Sequence, residues 1–220
     1  ICAMGDGATL KQLFEEVVPN MTSKKFTLVT LEHDDRVPPV RAYLDEPRLV
    51  SWHGWNIAAD HPKLHALPIG LNRGRHLRAI RKYMGRRAEK NGRVLVNFKL
   101  DRQDRIALWE LSASWDVFAD RVSYDAALVA PRLGVLGAVT NDAFYALLSN
   151  YSFVVCPRGA GLDTHRVWEA LYLGVVPIVL SSPSTAAYKG LPVVQLDQWE
   201  DLTEELLLAL PLPAASASAE

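Results

Sequence analysis

The stretch FVVCPRGAGLDTHRVWEALYLGVVPIVL, residues 153 to 180, constrains the fold of this chain more than any other. It opens on an apolar run, Phe153 to Cys156, that Pro157 ends. A turn containing Gly159 and Gly161 follows, then an amphipathic segment that closes at Gly174. VVPIVL is again wholly apolar. Two continuous apolar runs joined by one helix predict a βαβ unit, because strands covered on both faces show no polar alternation.

The rest of the chain repeats this alternation of strands and helices, which predicts an α/β fold with a parallel sheet. FTLVTL (26 to 31), LVSWHGWN (49 to 56), a short run around Ala66 to Ile69, RVLVNFKL (93 to 100) and LPVVQL (191 to 196) read as strands. VRAYLDEP, residues 102 to 115, TNDAFYALLSNY (140 to 151) and DQWEDLTEELLLAL read as helices. SSPSTAAYKG reads as a polar loop, and the glycines of RLGVLGAV leave that segment unassigned. The expected division is a partial N-terminal Rossmann-like region with linker at 1–90, a complete second domain at 91–210 and a disordered low-complexity tail at 211–220.

Composition removes several classes of function. The 220 residues are 49% hydrophobic and 22% charged with a net charge of −1, so a packed core is expected and no overall basic field advertises nucleic acid. The basic stretch from Arg73 to Arg93 lacks the interleaved aromatic platforms of a nucleic-acid groove and reads as a solvated face. Cys2 and Cys156 form no zinc or redox pattern. No apolar run is long enough to span a bilayer. The chain begins at Ile1 rather than Met, so the lack of a signal peptide is weak evidence.

The chemistry lies in the 153–180 stretch. Gly159 and Gly161 allow a sharp turn and close approach to a ligand. Asp163 or Thr164 can cap the helix that follows. The helix N-terminus offers free N–H groups and partial positive charge, a seat for phosphate. Arg158 and Arg166 add guanidinium forks that match phosphate oxygens. Glu169, three residues after Arg166, shares its edge of the helix and can accept two hydrogen bonds from a ribose diol. This assembly suits a nucleoside diphosphate at the carboxyl edge of a parallel sheet. A surface ion pair between Arg166 and Glu169 and plain turn glycines are the competing explanation. Neither GxxxxGK[ST] nor GxGxxG is present, which disfavours a P-loop ATPase and a dinucleotide site.

CPRGAGLDTHRVWEALYLGVVPIV resembles the donor-site motif of exostosin-like glycosyltransferases of the GT-B fold. LDEPRLVSWHGWNIAADHPKLHALPIGL is similar to their upstream block, and RVLVNFKL and SSPSTAAYKGLPVVQLDQW also fit, so the resemblance covers most of residues 26 to 200. It implies a GT-B-like α/β fold with a Rossmann-like donor domain and a truncated N-terminal Rossmann-like part. It implies an inverting transferase that moves a sugar from a nucleotide sugar to a glycan or glycoconjugate hydroxyl, with no cofactor and no metal. UDP-sugars are expected ahead of GDP-sugars. Arg166 would contact the diphosphate and Glu169 the ribose, with Arg158, Gly159, Gly161 and Asp163 beside the phosphates or the donor sugar.

A base that deprotonates the acceptor is also needed. Asp34 and Asp35 in LEHDDRVP are the candidates; a plain turn or a metal-binding pair are their other readings. His165 is a second acid–base candidate by its place at the helix start. Trp52 and Trp55 can stack on a sugar or pack in the core, while His53, His61 and His65 show no metal-ligand spacing. A eukaryotic source implies a Golgi enzyme with a membrane anchor outside this sequence, a bacterial or viral source a cytoplasmic one. The rival is a catalytically inactive nucleotide-sugar- or glycan-binding module.

Overall fold

The computed structural model describes residues 1–22, 25–72, 75–85, 89–124 and 141–210. The segment RLGVLGAV (132–139), the tail 211–220 and Arg73, Arg86 and Arg87 of the basic stretch lie outside them. The chain is α/β, and all the strand pairs formed by the described residues are parallel. It folds as two compact units. The first comprises Ile1–Ile69, Arg158–Thr164 and Ser181–Leu191; the second comprises Gly70–Pro157, His165–Leu180 and Pro192–Glu220.

The first unit holds a four-stranded sheet in the order β1-β2-β3-β4. Its elements are β1 (Cys2–Met4), α1 (Gly7–Gln12), β2 (Phe26–Leu31), β3 (Leu49–Gly54) and β4 (Leu64–Ala66). The β-branched and apolar run FTLVTL alternates, so Phe26, Leu28 and Thr30 are buried while their neighbours are not. Leu10 of α1 and Leu13 and Val18 of the irregular turns after it join Leu28, Leu49 and Trp52 in one core. Asp6 starts α1 by accepting from the Thr9 N–H at 3.0 Å. The strand expected around Ala66 to Ile69 is β4, at Leu64–Ala66, slightly earlier because Pro68 supplies no ladder donor. Trp52 is fully buried, and its indole N–H donates to Thr30 Oγ1 at 3.0 Å.

The second unit holds a five-stranded sheet in the order β6-β5-β7-β8-β9. It is built from α2 (Arg75–Ile80), β5 (Val94–Val96), α3 (Gln103–Leu111), β6 (Ala119–Arg121), α4 (Asn141–Leu148), β7 (Phe153–Val155), α5 (His165–Tyr172), β8 (Val176–Leu180), β9 (Val194–Leu196) and α6 (Glu204–Ala209). Every residue of β5 and β7 is buried, as their continuous apolar runs require of a sheet covered on both faces. Gly174 takes φ +65° at the end of α5, where the chain turns toward β8. The 102–115 helix is α3 followed by a 3₁₀ turn, Ser112–Trp115. DQWEDLTEELLLAL is not one helix. Thr203 Oγ1 accepts from the Leu206 N–H at 3.2 Å and starts α6 there, while Leu202 before it is buried.

Sequence order and spatial order part company between β5 and β7. From β5 the sheet grows one way to β6, and from β7 the other way to β8 and β9. The carboxyl ends of β5 and β7 therefore flank a topological switch point, where open parallel sheets leave a crevice for ligands.

Thr30→Val is the test of the first unit's core. It keeps the shape but leaves the buried Trp52 N–H without its acceptor, so equilibrium urea unfolding should show a loss of about 1–3 kcal/mol.

Candidate functional site

Helix α5 starts after the β7 strand and carries Arg166 in its first turn. The Arg166 guanidinium donates to the backbone carbonyl of Asn97, the residue after β5. It also lies over the Phe144 ring of α4, 4.3 Å from the centroid. Arg166 thus reaches from the helix after β7 to the end of β5, at the switch point. Asn97 is fully buried; its amide donates to the Val122 carbonyl at 2.9 Å, and its Oδ1 has no partner.

Glu169 follows one turn later and is only 7% exposed. Its Oε1 accepts from the Tyr145 hydroxyl at 2.7 Å. His76 Nδ1 lies 3.3 Å from that hydroxyl and 3.9 Å from Glu169 Oε1. Since the tyrosine hydroxyl is given to the carboxylate, the imidazole Nδ1–H is the donor to the tyrosine oxygen. Burial first, and the Glu169 carboxylate second, push the Tyr145 phenol far above its ordinary range, so it stays a donor. Arg166 and Glu169 do not pair with each other; each has its own partners. His165, at the helix start, places Nδ1 2.7 Å from the Gly70 carbonyl. A carbonyl only accepts, so Nδ1 carries the proton and the ring ties the start of α5 to the segment after β4. The Thr164 hydroxyl is buried without a partner, so it does not cap α5.

The glycine turn belongs to the first unit. Asp163 there is 4% exposed. Its Oδ1 accepts from the Tyr188 hydroxyl at 2.6 Å and its Oδ2 from the Ile69 N–H at 2.9 Å. Asn56 Oδ1 accepts from the N–H groups of Leu162 and Asp163 at 2.7 and 3.2 Å. A Cβ on Gly161 would stand 2.6 Å from the same Asn56 oxygen, so close approach is what requires glycine here. Arg158 and Gly159 are half-buried in this turn.

Asp34 and Asp35 are exposed past the carboxyl end of β2. Asp35 accepts from the Gly7 N–H at 3.2 Å. Between them and the strand sits His33, buried, with Nδ1 2.9 Å from the Asp35 carbonyl and Nε2 buried without a partner. Its ring packs onto Gly5 so closely that a Cβ there would collide with it. Burial holds the His33 pKa below its ordinary 6.5, against the raising effect of Asp35 and its acidic neighbours.

The remaining sequence candidates have structural partners. Trp52 is core, and Trp55 stacks toward His33 with ring centroids 6.5 Å apart. His53 and His65 stack on each other at 4.5 Å. In the basic stretch, Lys82 pairs with Asp142 at 2.7 Å, and Lys90 donates to the Ser149 and Leu173 carbonyls. Arg93 forks to Asp120 and to three backbone carbonyls. Sequence reasoning passed over His33, Asn56, His76, Asn97, Tyr145 and Tyr188. Each acts across a long sequence separation, and none sits in a spacing that announces a pair.

The chain matches no protein-family model. Over 59 residues, 26% of this chain, it is 36% identical to a protein named GDP-fucose protein O-fucosyltransferase 3 from Bos taurus. The chain spans 12% of that relative's length in the match. The similarity is to a glycosyltransferase.

His33 makes stability depend on pH. Its folded pKa lies below the unfolded value, so the unfolded chain binds more protons in the interval between them and stability falls as pH drops below about 6.5. Denaturant midpoints measured from pH 8 to pH 5 should decline more steeply in the wild type than in His33→Gln; parallel profiles would remove His33 as the cause.

Proposed function

We propose that this chain is the nucleotide-sugar-binding part of a glycosyltransferase, which moves a sugar from a nucleoside-diphosphate sugar to a glycan or glycoconjugate hydroxyl. One observation carries the proposal: α5 brings Arg166 to the switch point of the second unit's parallel sheet, with Glu169 one turn behind it. The named relative supports the same class of reaction. The resemblance to exostosin-like enzymes of GT-B fold belongs to this proposal as its finer form.

In this reading the diphosphate sits at the first turn of α5, where the helix dipole favours an anion. Arg166 supplies a permanent positive charge there. Its tie to Asn97 and its seat on Phe144 fix the guanidinium before the ligand arrives, so little reorganisation is needed as charge builds on the departing diphosphate. Glu169 accepts from the ribose diol. Its Oε1 is anchored by Tyr145, and a carboxylate has about four lone-pair sites, so acceptor capacity remains. The reaction proceeds by inversion without an essential metal, the diphosphate being neutralised by side chain and helix terminus. Asp34 and Asp35 remain the proposed source of the base that takes the acceptor proton. The relative is named for GDP-fucose, which brings guanosine donors forward beside the uridine donors expected from the sequence.

Calorimetric titration with UDP, GDP and pyrophosphate tests the binding half. Arg166→Ala should weaken all three by about 1.5–3 kcal/mol, the worth of a charge-assisted hydrogen bond; unchanged affinity removes Arg166 from the site. Glu169→Gln should weaken the nucleotides and spare pyrophosphate, and equal losses would contradict a ribose contact. Turnover of a nucleotide sugar should survive EDTA, whereas an absolute Mn²⁺ requirement would sink the metal-free mechanism. Nucleotide binding without any turnover would mark a binding module instead of an enzyme.

A further inference from the structure

A cavity of about 310 Å³ opens in the second unit between the segments that follow β5 and β6. Its walls are Phe98 and Leu100 after β5, Trp109 of α3 and Tyr124 after β6, with Lys99 and Ser123 as the polar groups. The Phe98 ring meets Trp109 edge-on at 6.2 Å, and the Arg121 guanidinium lies over the indole at 4.3 Å. Phe98 belongs to the second unit's core with Trp109 packed against it, whereas Lys99, Leu100 and Ser123 at the mouth are exposed. Aromatic walls with a few convergent donors and acceptors are the anatomy of a small-molecule site.

We propose that this cavity binds a pyranose ring. The proposal rests on the nucleotide reading of α5 for the direction in which a donor would run, and on the cavity's own chemistry for the rest. A pyranose presents a face of C–H groups with a rim of hydroxyls. The C–H face suits the negative face of an indole or phenol, and the hydroxyls suit Lys99 Nζ, Ser123 Oγ and the Tyr124 phenol. Position separates a sugar from a nucleobase. Arg166 holds the carbonyl of Asn97, and the cavity begins at the next residue, Phe98. Glu169 turns to Tyr145 and His76, on α4 and α2. A diphosphate at Arg166 with its ribose at Glu169 leads the base toward α4 and α2, and leads the sugar-bearing phosphate toward Asn97 and the cavity. The pyranose is that of the nucleotide sugar or that of the glycan acceptor; the chemistry is shared, and experiment separates the two.

The test is calorimetry on the wild-type chain, Ser123→Trp and Tyr124→Ala, with three kinds of probe. These are UDP and GDP, then UDP-glucose and GDP-fucose, then the methyl glycosides of glucose, galactose and fucose. Ser123→Trp fills the cavity from an exposed position and Tyr124→Ala strips one wall, so neither depends on removing the partly buried Trp109; unfolding midpoints check that both remain folded. A donor pyranose predicts that the nucleotide sugars lose about tenfold in both variants while UDP and GDP are unaffected. An acceptor pyranose predicts that the methyl glycosides lose about tenfold while the nucleotide sugars are unaffected. Unchanged affinity for every sugar-bearing probe, or no binding of any of them by the wild type, overturns the cavity assignment. Failure of the wild type to bind UDP or GDP overturns the nucleotide reading instead, and the methyl glycosides then decide the cavity alone.

Discussion

The tie between the Arg166 guanidinium and the Asn97 carbonyl is the contact from which the candidate site takes its geometry. A sheet that grows in opposite directions from β5 and β7 leaves the ends of those strands without a covering loop in common. The helix that follows β7 begins at His165 and carries Arg166 in its first turn. Arg166 reaches across to the end of β5, and the Phe144 ring beneath it adds a cation–π contact of about 0.5–2 kcal/mol. Once Arg166 is fixed, the helical pitch determines where Glu169 emerges, and Tyr145 determines which way its carboxylate points.

The glycine turn before α5 obeys a different constraint. It carries residues that look chemical in the sequence, yet Asp163 has both oxygens engaged by Tyr188 and Ile69, and the turn's N–H groups are received by Asn56. Asn56 itself adopts φ 54°, in the left-handed region that asparagine tolerates better than most side chains. A short polar side chain in an unusual backbone conformation, met by a glycine that leaves it room, fixes the turn's shape. Asp163 and Asn56 hold the loop through these bonds, as buried polar groups usually do.

Much of the fold was legible in the sequence because fully buried parallel strands announce themselves. The VLV of RVLVNFKL, FVVC and VVPIVL are apolar without alternation, and the structure makes strands of one parallel sheet at Val94–Val96, Phe153–Val155 and Val176–Leu180. Short elements were not legible. Cys2–Met4 and Ala119–Arg121 are three-residue strands that hold through their neighbours and have no pattern of their own. DQWEDLTEELLLAL looked like one helix because its composition favours helix throughout, and a single threonine cap divides it. The placement of Arg166 and Glu169 on one helix was visible from their spacing. Their partners were not, since Asn97, Phe144, Tyr145 and His76 come from three other segments, and only the fold brings those together.

The hydrogen bond to Glu169 is what a buried carboxylate requires. A buried carboxylate is costly unless hydrogen-bonded donors stabilise its charge. Tyr145 provides one such donor, and burial together with that carboxylate keeps the phenol protonated well beyond neutral pH. A tyrosine held neutral in this way cannot compete as an anion for Arg166, although the two are close enough to feel each other's charge. The arginine is thereby left as a cation with its own separate neighbours, a carbonyl and an aromatic face, neither of which neutralises it. A structural ion pair would have used Glu169 for that purpose, one turn away on the same helix edge. The fold keeps the two charges apart and anchors each independently. Under the proposed function, the cation and the carboxylate would meet different parts of one ligand.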